Sequence, residues 1–148
     1  MTELINVRPS IAIIENGEIL CLKYVYNGTL VYNLPGGNLE FGENIKQALR
    51  REMTEELNIQ VEILNLLFCG EVHHNKKVTM HFVFEGRIEK GVPKINRLQT
   101  SAIEASWLDM NNFKNINLYP NVNEKLINWH YKLADDSVYL GEIIQKWF

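Results

Sequence analysis

The sequence predicts an α+β fold, a mixed β-sheet packed between helices. Two observations carry this prediction. Asn16-Gly17 and Asn27-Gly28 each lie between β-branched, apolar or aromatic runs, a strong short-range hairpin signal. Further strand-like runs surround one amphipathic helical stretch in mid-chain and precede a second one late in the chain.

The two Asn-Gly pairs predict strands near 10–15, 18–25 and 30–33, and Pro35-Gly36-Gly37 then breaks the sheet. Residues 44–58 predict a helix. Asn44 is its N-cap, with Gln47 three residues on as in a capping box. Ile45, Leu49, Met53 and Leu57 form one i, i+4 row and so the buried face. Asn58 tolerates the left-handed conformation that ends helices, and Ile59 begins the next strand. "VEILNLLFCGEV" and "KVTMHFVFEGRI" predict two more strands. In the second, Val78, Met80, Phe82 and Phe84 alternate with Thr79, His81 and Glu85, which puts the first set on the buried face. Gly91-Val92-Pro93 is a turn, and "SAIEASWLDM" reads as a strand leading into a short helix. "YPNVNEKLINWHYKL" carries Val122, Leu126, Trp129 and Leu133 near helical spacing, with Pro120 in the first turn.

The 148 residues suit a single domain, 1–148, with ordinary hydrophobic (46%) and charged (22%) content. A net charge of −3 gives no general attraction to nucleic acid or membrane surfaces. The opening "MTELINVRPS" lacks a basic start followed by an apolar run, so no signal peptide is expected. Cys21 and Cys69 lack metal-ligand spacing and read as thiols of a reducing cytoplasm.

One feature resists a purely structural reading. Glu52, Glu55 and Glu56 crowd one helical face beside the buried row, although like charges three and four apart repel. A solvated acidic face is the plain alternative. Against it, no lysines are interleaved to cancel the charges. The neighbouring Arg50 and Arg51 are expected to point elsewhere or at one glutamate only, and Gly36-Gly37 brings exposed backbone close. Convergent carboxylates make sense around a hard cation such as Mg²⁺, which takes oxygen ligands and keeps room for waters and substrate phosphates.

These residues carry a family resemblance. Gly37, five residues, Glu43, seven residues and then Arg51-Glu52-Met53-Thr54-Glu55-Glu56-Leu57-Asn58-Ile59 resembles the Nudix box, with Asn58 in place of the usual glycine. Both residues accept positive φ at a helix end. The resemblance implies an α/β/α sandwich and a Nudix hydrolase, which cleaves a pyrophosphate linkage in a nucleoside diphosphate joined to another moiety. It implies Glu52 and Glu56 as the main ligands of Mg²⁺ or Mn²⁺, Glu55 as a further ligand or the base, and the Gly36 carbonyl as another ligand. Arg51 would orient a box glutamate and Glu43 would stabilise the loop-helix geometry. A base outside the box is often found in the family, and Glu104 is the candidate here. The Nudix fold also serves as a non-catalytic nucleotide sensor, but such proteins usually lose box glutamates, and this chain keeps them all.

Substrate markers are sparse. His74 stands where ADP-ribose hydrolases often carry a proline, and Asn75, Lys76 and Lys77 stand where diadenosine polyphosphate hydrolases often carry a tyrosine. Nucleotide sugars and nucleoside triphosphates, oxidised ones included, remain. Tyr24, Tyr26, Tyr32, Phe41 and Phe82 are candidates for stacking on a base, although strand aromatics are more often core. His73-His74 with Lys76-Lys77 reads as a polar loop. The apolar tail, Val138 to Phe148, must dock on its own domain or on a second copy, so a homodimer is expected through it.

Overall fold

The computed structural model describes residues 4–133 and 137–148. The first three residues of the N-terminal stretch lie outside the described residues. Strands β1 (Leu4–Glu15), β2 (Glu18–Tyr26) and β3 (Thr29–Asn33) are joined by the two Asn-Gly turns. Both residues of each turn have positive φ, 52° and 77° at Asn16-Gly17 and 50° and 78° at Asn27-Gly28. That is the mirror-image turn whose twist matches the strands it joins. Next come α1 (Ile45–Leu57), β4 (Gln60–His74), β5 (Lys77–Lys90) and β6 (Glu104–Asp109). A 3₁₀ helix (Met110–Asn115), β7 (Leu118–Tyr119), α2 (Asn123–His130) and β8 (Tyr139–Glu142) complete the chain.

The sheet runs β7-β3-β2-β1-β5-β4-β8, with β6 on β2. It is mixed: β1 is parallel to β5 from Leu4 to Ile13 and antiparallel to β2, while β4 and β5 form a long antiparallel pair. The run "IAII" in β1 and the run "ILCL" in β2 are apolar at every position because both faces are covered. Ile11, Ile13, Leu20 and Leu22 pack with Leu49, Met53 and Leu57 of α1. Ala12, Ile19 and Cys21 pack on the other face with Phe113, Val122 and Leu126. The result is the α/β/α sandwich, with one core on each side of the sheet.

Some expectations are corrected. β1 starts at Leu4, six residues earlier than expected, since a charged Arg8 and a donor-less Pro9 disguise a segment that pairs with β5. In β5 Thr79, His81 and Val83 are buried, while of the set expected there only Phe84 is, Val78, Met80 and Phe82 being half covered. Alternation predicted the opposite face because it assumes one wet side, whereas β5 lies between β1 and β4 with layers on both. Pro120 precedes α2 rather than opening it, and Leu133 lies beyond its end, exposed. β7 and β8 are too short to leave a periodic signal in the sequence. The 73–77 segment is a tight hairpin turn at Asn75-Lys76.

The tail docks on its own domain. β8 pairs in parallel with β4, and the Ile143 N–H donates to Glu71 O at 2.7 Å with its side chain in the core. Among the described residues no helix is long and apolar enough to cross a membrane.

α1 is fixed at both ends. The Asn44 side chain accepts from Gln47 N–H and the Gln47 side chain accepts from Asn44 N–H, at 2.9 and 2.8 Å. Asn58 closes the helix at φ 54°, its N–H donating to Met53 O and Thr54 O. Asn44→Ala removes one half of the box and should cost about 1 kcal/mol of stability. Urea unfolding of the two proteins checks it, and an unshifted midpoint would contradict the cap's contribution.

Candidate functional site

The loop from β3 to α1 is zipped onto β1. Ile11 N–H donates to Pro35 O (2.9 Å), Gly37 N–H to Pro9 O (3.2 Å) and Leu39 N–H to Val7 O (2.8 Å). A Cβ on Gly36 would lie 2.2 Å from Pro9 O, and one on Gly37 would lie 2.2 Å from Glu52 Cδ. The glycines therefore let two backbones and one carboxyl group share a space no side chain could enter.

Arg51 organises the carboxylates. Its Nε donates to Glu43 Oε2 at 3.1 Å and its Nη2 to Glu43 Oε1 at 2.8 Å, a two-pronged fork. Nη1 reaches Glu52 Oε1 at 2.8 Å and Glu55 Oε2 at 3.4 Å, and Nη2 also donates to Asn38 O at 3.1 Å. Glu40 is 3.7 Å away. Four glutamates thus lie within ion-pair reach of one guanidinium, which corrects the expectation of one at most. Glu43 also accepts from Glu40 N–H at 2.9 Å, so it ties the loop to the helix. The hydrogen bonds from Arg51 hold the Glu43 carboxyl below its usual range. Those to Glu43, then to Glu52, raise Arg51 further and keep it charged.

The carboxylates grade from dry to wet. Glu56 is 8% exposed, while the Glu52 side chain is 16% and the Glu55 side chain 41% exposed. Burial first, then the hydrogen bond and charge of Glu52 beside it, push the Glu56 carboxyl up to about 7. Thr100 and the charge of Arg8 act in the opposite direction. Glu56 Oε1 is buried with no hydrogen-bond partner.

A NUDIX domain model matches residues 7–130. The chain belongs to the Nudix family. It is 32% identical over 94 residues to a MutT-like protein of Streptomyces ambofaciens, covering 64% of this chain and 56% of that protein. It is 30% identical over 115 residues to an uncharacterised Nudix hydrolase of Nostoc sp., covering 76% and 59%. The chain thus matches under two thirds of the length of these relatives. The solution structure of the E. coli ORF135 protein superposes with a TM-score of 0.73 over 90% of this chain and 96% of that one, at 16% identity, a likeness of fold.

The Nudix box therefore occupies the loop and α1, and its donors are all hard oxygens. An orphaned, buried carboxylate oxygen on Glu56 with a second carboxyl group against it suits a divalent cation. Among the described residues no three side chains of His, Cys, Asp or Glu converge tightly enough to enclose an ion by themselves.

The structure gathers Gly36, Gly37, Glu43, Arg51, Glu52, Glu55 and Glu56 into this one site. Glu104 stands apart by its contacts. It is exposed on β6, 3.5 Å from Lys23 Nζ, and accepts from Ser106 Oγ at 3.0 Å. The aromatic candidates scatter: Phe41 is fully exposed, and Tyr24 and Tyr26 stack on each other at 5.8 Å. A cleft of about 570 Å³ between β4 and α2, lined by Leu66, Phe68, Lys125 and Trp129, contains no box residue.

Two residues near Glu56 escaped the sequence reading. Thr100 lies in a loop with no periodic signal, although Asn96 N–H of that loop donates to Glu56 O at 2.9 Å. Arg8 is buried, donates through Nη2 to Leu34 O at 3.0 Å and leaves Nη1 without a partner. Its place was hidden, because Arg8 and Pro9 disguise the strand that carries it.

Arg51→Lys keeps the charge and loses the fork. It should lower stability by about 1–2 kcal/mol, between an exposed ion pair and a buried charged hydrogen bond. Chemical unfolding measures this, and an unchanged midpoint would reduce Arg51 to a surface charge.

Proposed function

We propose that this Nudix domain is a metal-dependent hydrolase of the pyrophosphate linkage in a nucleoside diphosphate joined to another moiety. A nucleotide sugar or a nucleoside triphosphate, oxidised ones included, is the substrate class. The observation that carries the reading is the buried, unpartnered Glu56 Oε1 beside Glu52, an arrangement that costs folding energy unless a cation offsets it. The name of another solved Nudix structure, a UDP-X diphosphatase, is in keeping with this substrate class.

In this reading Glu52 and Glu56, with the Gly36 carbonyl, hold Mg²⁺ or Mn²⁺. A bound divalent ion supplies charge neutralisation of the diphosphate and acidifies a water molecule. Arg51 fixes the rotamer of Glu52, and Glu43 fixes Arg51. Glu55, the most exposed of the three box-helix carboxylates, takes the proton from the attacking water. Glu104 is the competing base, on β6 and outside the set of carboxylates that Arg51 gathers. The two free cysteines, one of them buried, support a reducing, cytoplasmic setting. A homodimer would have to use surface other than Ile143, which is already spent on its own core.

Hydrolysis of a nucleotide panel should require Mg²⁺ or Mn²⁺ and stop on addition of chelator. Glu56→Gln keeps the shape and removes the charge, so turnover should fall by roughly 10²-fold or more at unchanged fold. Full turnover in a normally folded Glu56→Gln protein would sink the metal assignment, whereas binding without turnover of any nucleotide by the parent would favour a nucleotide-binding module. Glu55→Gln should lower turnover more than Glu104→Gln in the same assay, and the reverse ranking would move the base to β6.

A further inference from the structure

The loop 91–103, between β5 and β6, crosses the C-terminal end of α1. Lys94 N–H donates to Leu57 O at 3.1 Å and Asn96 N–H to Glu56 O at 2.9 Å. The far end of the loop is fastened to β2, where Ile103 N–H donates to Lys23 O at 2.7 Å. Ala102 beside it is buried with Leu49, Met53 and Leu57 of α1. Between these anchors Arg97, Leu98 and Gln99 form a turn in solvent. Thr100 follows the turn, half-buried, and its N–H donates to Asn96 O at 3.2 Å. Its side chain hydrogen-bonds the Glu56 carboxyl group.

The direction of each bond at Thr100 follows from valence. A hydroxyl has one proton to give and two lone pairs with which to accept. Ala102 N–H can only donate, and it reaches Thr100 Oγ1 at 3.2 Å. An ionised Glu56 can only accept, so the Thr100 proton goes to it. Tyr24 Oη lies 3.4 Å from Thr100 Oγ1 and, with that proton spent, is the donor of the contact. Two donors thus point into the threonine oxygen and turn its O–H toward the carboxyl group. Tyr24 is itself packed against the core under α1, and it feels the charge of Glu56.

This bond leaves Glu56 Oε1 bare and buried. The hydrogen bonds of Arg51 hold Glu43, Glu52 and Glu55 instead. A carboxylate tethered at one oxygen presents the other in a fixed direction, which is how the surroundings of a metal site orient its ligands.

We propose that Thr100 is a positioning residue, which holds one side of the Glu56 carboxylate so that the bare oxygen faces the cation, with Tyr24 aiming its hydroxyl. The proposal rests on the reading of Glu52 and Glu56 as ligands of Mg²⁺ or Mn²⁺, and it is tested without turnover. Mn²⁺ titration of the full chain, followed by electron paramagnetic resonance well below the melting temperature, compares the parent with Thr100→Val and Thr100→Ser. Thr100→Val keeps the shape and loses the hydroxyl. It should weaken Mn²⁺ binding roughly tenfold or more, the scale of losing a group that orients a ligand. Thr100→Ser keeps the hydroxyl and should bind Mn²⁺ as the parent does. A Thr100 needed only as the acceptor for Ala102 N–H would lower the melting temperature of Thr100→Val and leave its Mn²⁺ affinity unchanged. That result would overturn the proposal, and so would a Thr100→Ser protein that binds as poorly as Thr100→Val. If Thr100→Val is unfolded at the temperature of the titration, Thr100→Ala is read in its place by the same criteria. A parent that binds no Mn²⁺ would overturn the metal reading and this proposal with it, whereas a parent that binds Mn²⁺ no better than the variant without the hydroxyl would overturn this proposal alone.

Discussion

The site depends on one guanidinium. Three glutamates on one helical face, with two more in the preceding loop, would repel each other and unravel the first half of the box. Arg51 reverses the sign of that interaction by binding Glu43 with two nitrogens and reaching Glu52, Glu55 and Glu40 with a third. Its planar fork is what lets one side chain serve carboxylates on a loop and on a helix at once. The glycines complete this, because Glu52 can only reach Arg51 by lying where a Gly37 side chain would be. The capping box and the left-handed Asn58 then fix the length and rotation of α1, so that Met53 and Leu57 enter the core while Glu56 turns toward the loop.

Arg51 leaves one carboxylate unserved. Glu56 has no contact to it, is the driest of the set and keeps a bare oxygen. Fully paired carboxylates would have stabilised the domain and left nothing to bind a ligand. Buried polar groups without partners are rare in folded proteins. Five side-chain atoms are in that state among the described residues, on Arg8, Ser10, Glu56, His81 and Asn123. Arg8 and Ser10 are on β1 next to the box loop, and Arg8 is opposite His81 in the register with β5. Three of the five, on Arg8, Ser10 and Glu56, lie on the box or on the strand its loop is zipped to.

Much of this was legible in the sequence because the signals were local. Asn-Gly turns, a capping box and a fixed glutamate spacing are written within a few residues of the contacts they make. What was hidden depends on distant chain. Arg51's four partners could not be read from the helix alone, since Glu43 and Glu40 reach it only after the loop folds back. The buried face of β5 was misread because the covering layers come from elsewhere in the chain: α1 on one side, and the Tyr119 region with the tail on the other. Arg8 and Thr100 join the site through strand register and a loop crossing, which no period in the sequence encodes.

The tail makes the same point from the other end of the chain. Its apolar content first argued for a dimer, on the ground that such surface must be covered. The structure divides that surface by residue. Ile143 is spent on the core, and the backbone around it is spent on β4 and on Asn121. Trp147 and Phe148 are not covered by either, yet they are held in position by their neighbours. Aromatic surface kept in water on a rigid mount costs free energy in the empty protein. That cost is offset by whatever apolar partner displaces the water. The expectation of a second copy thus loses Ile143 and keeps the exposed surface of Tyr139, Ile144, Trp147 and Phe148.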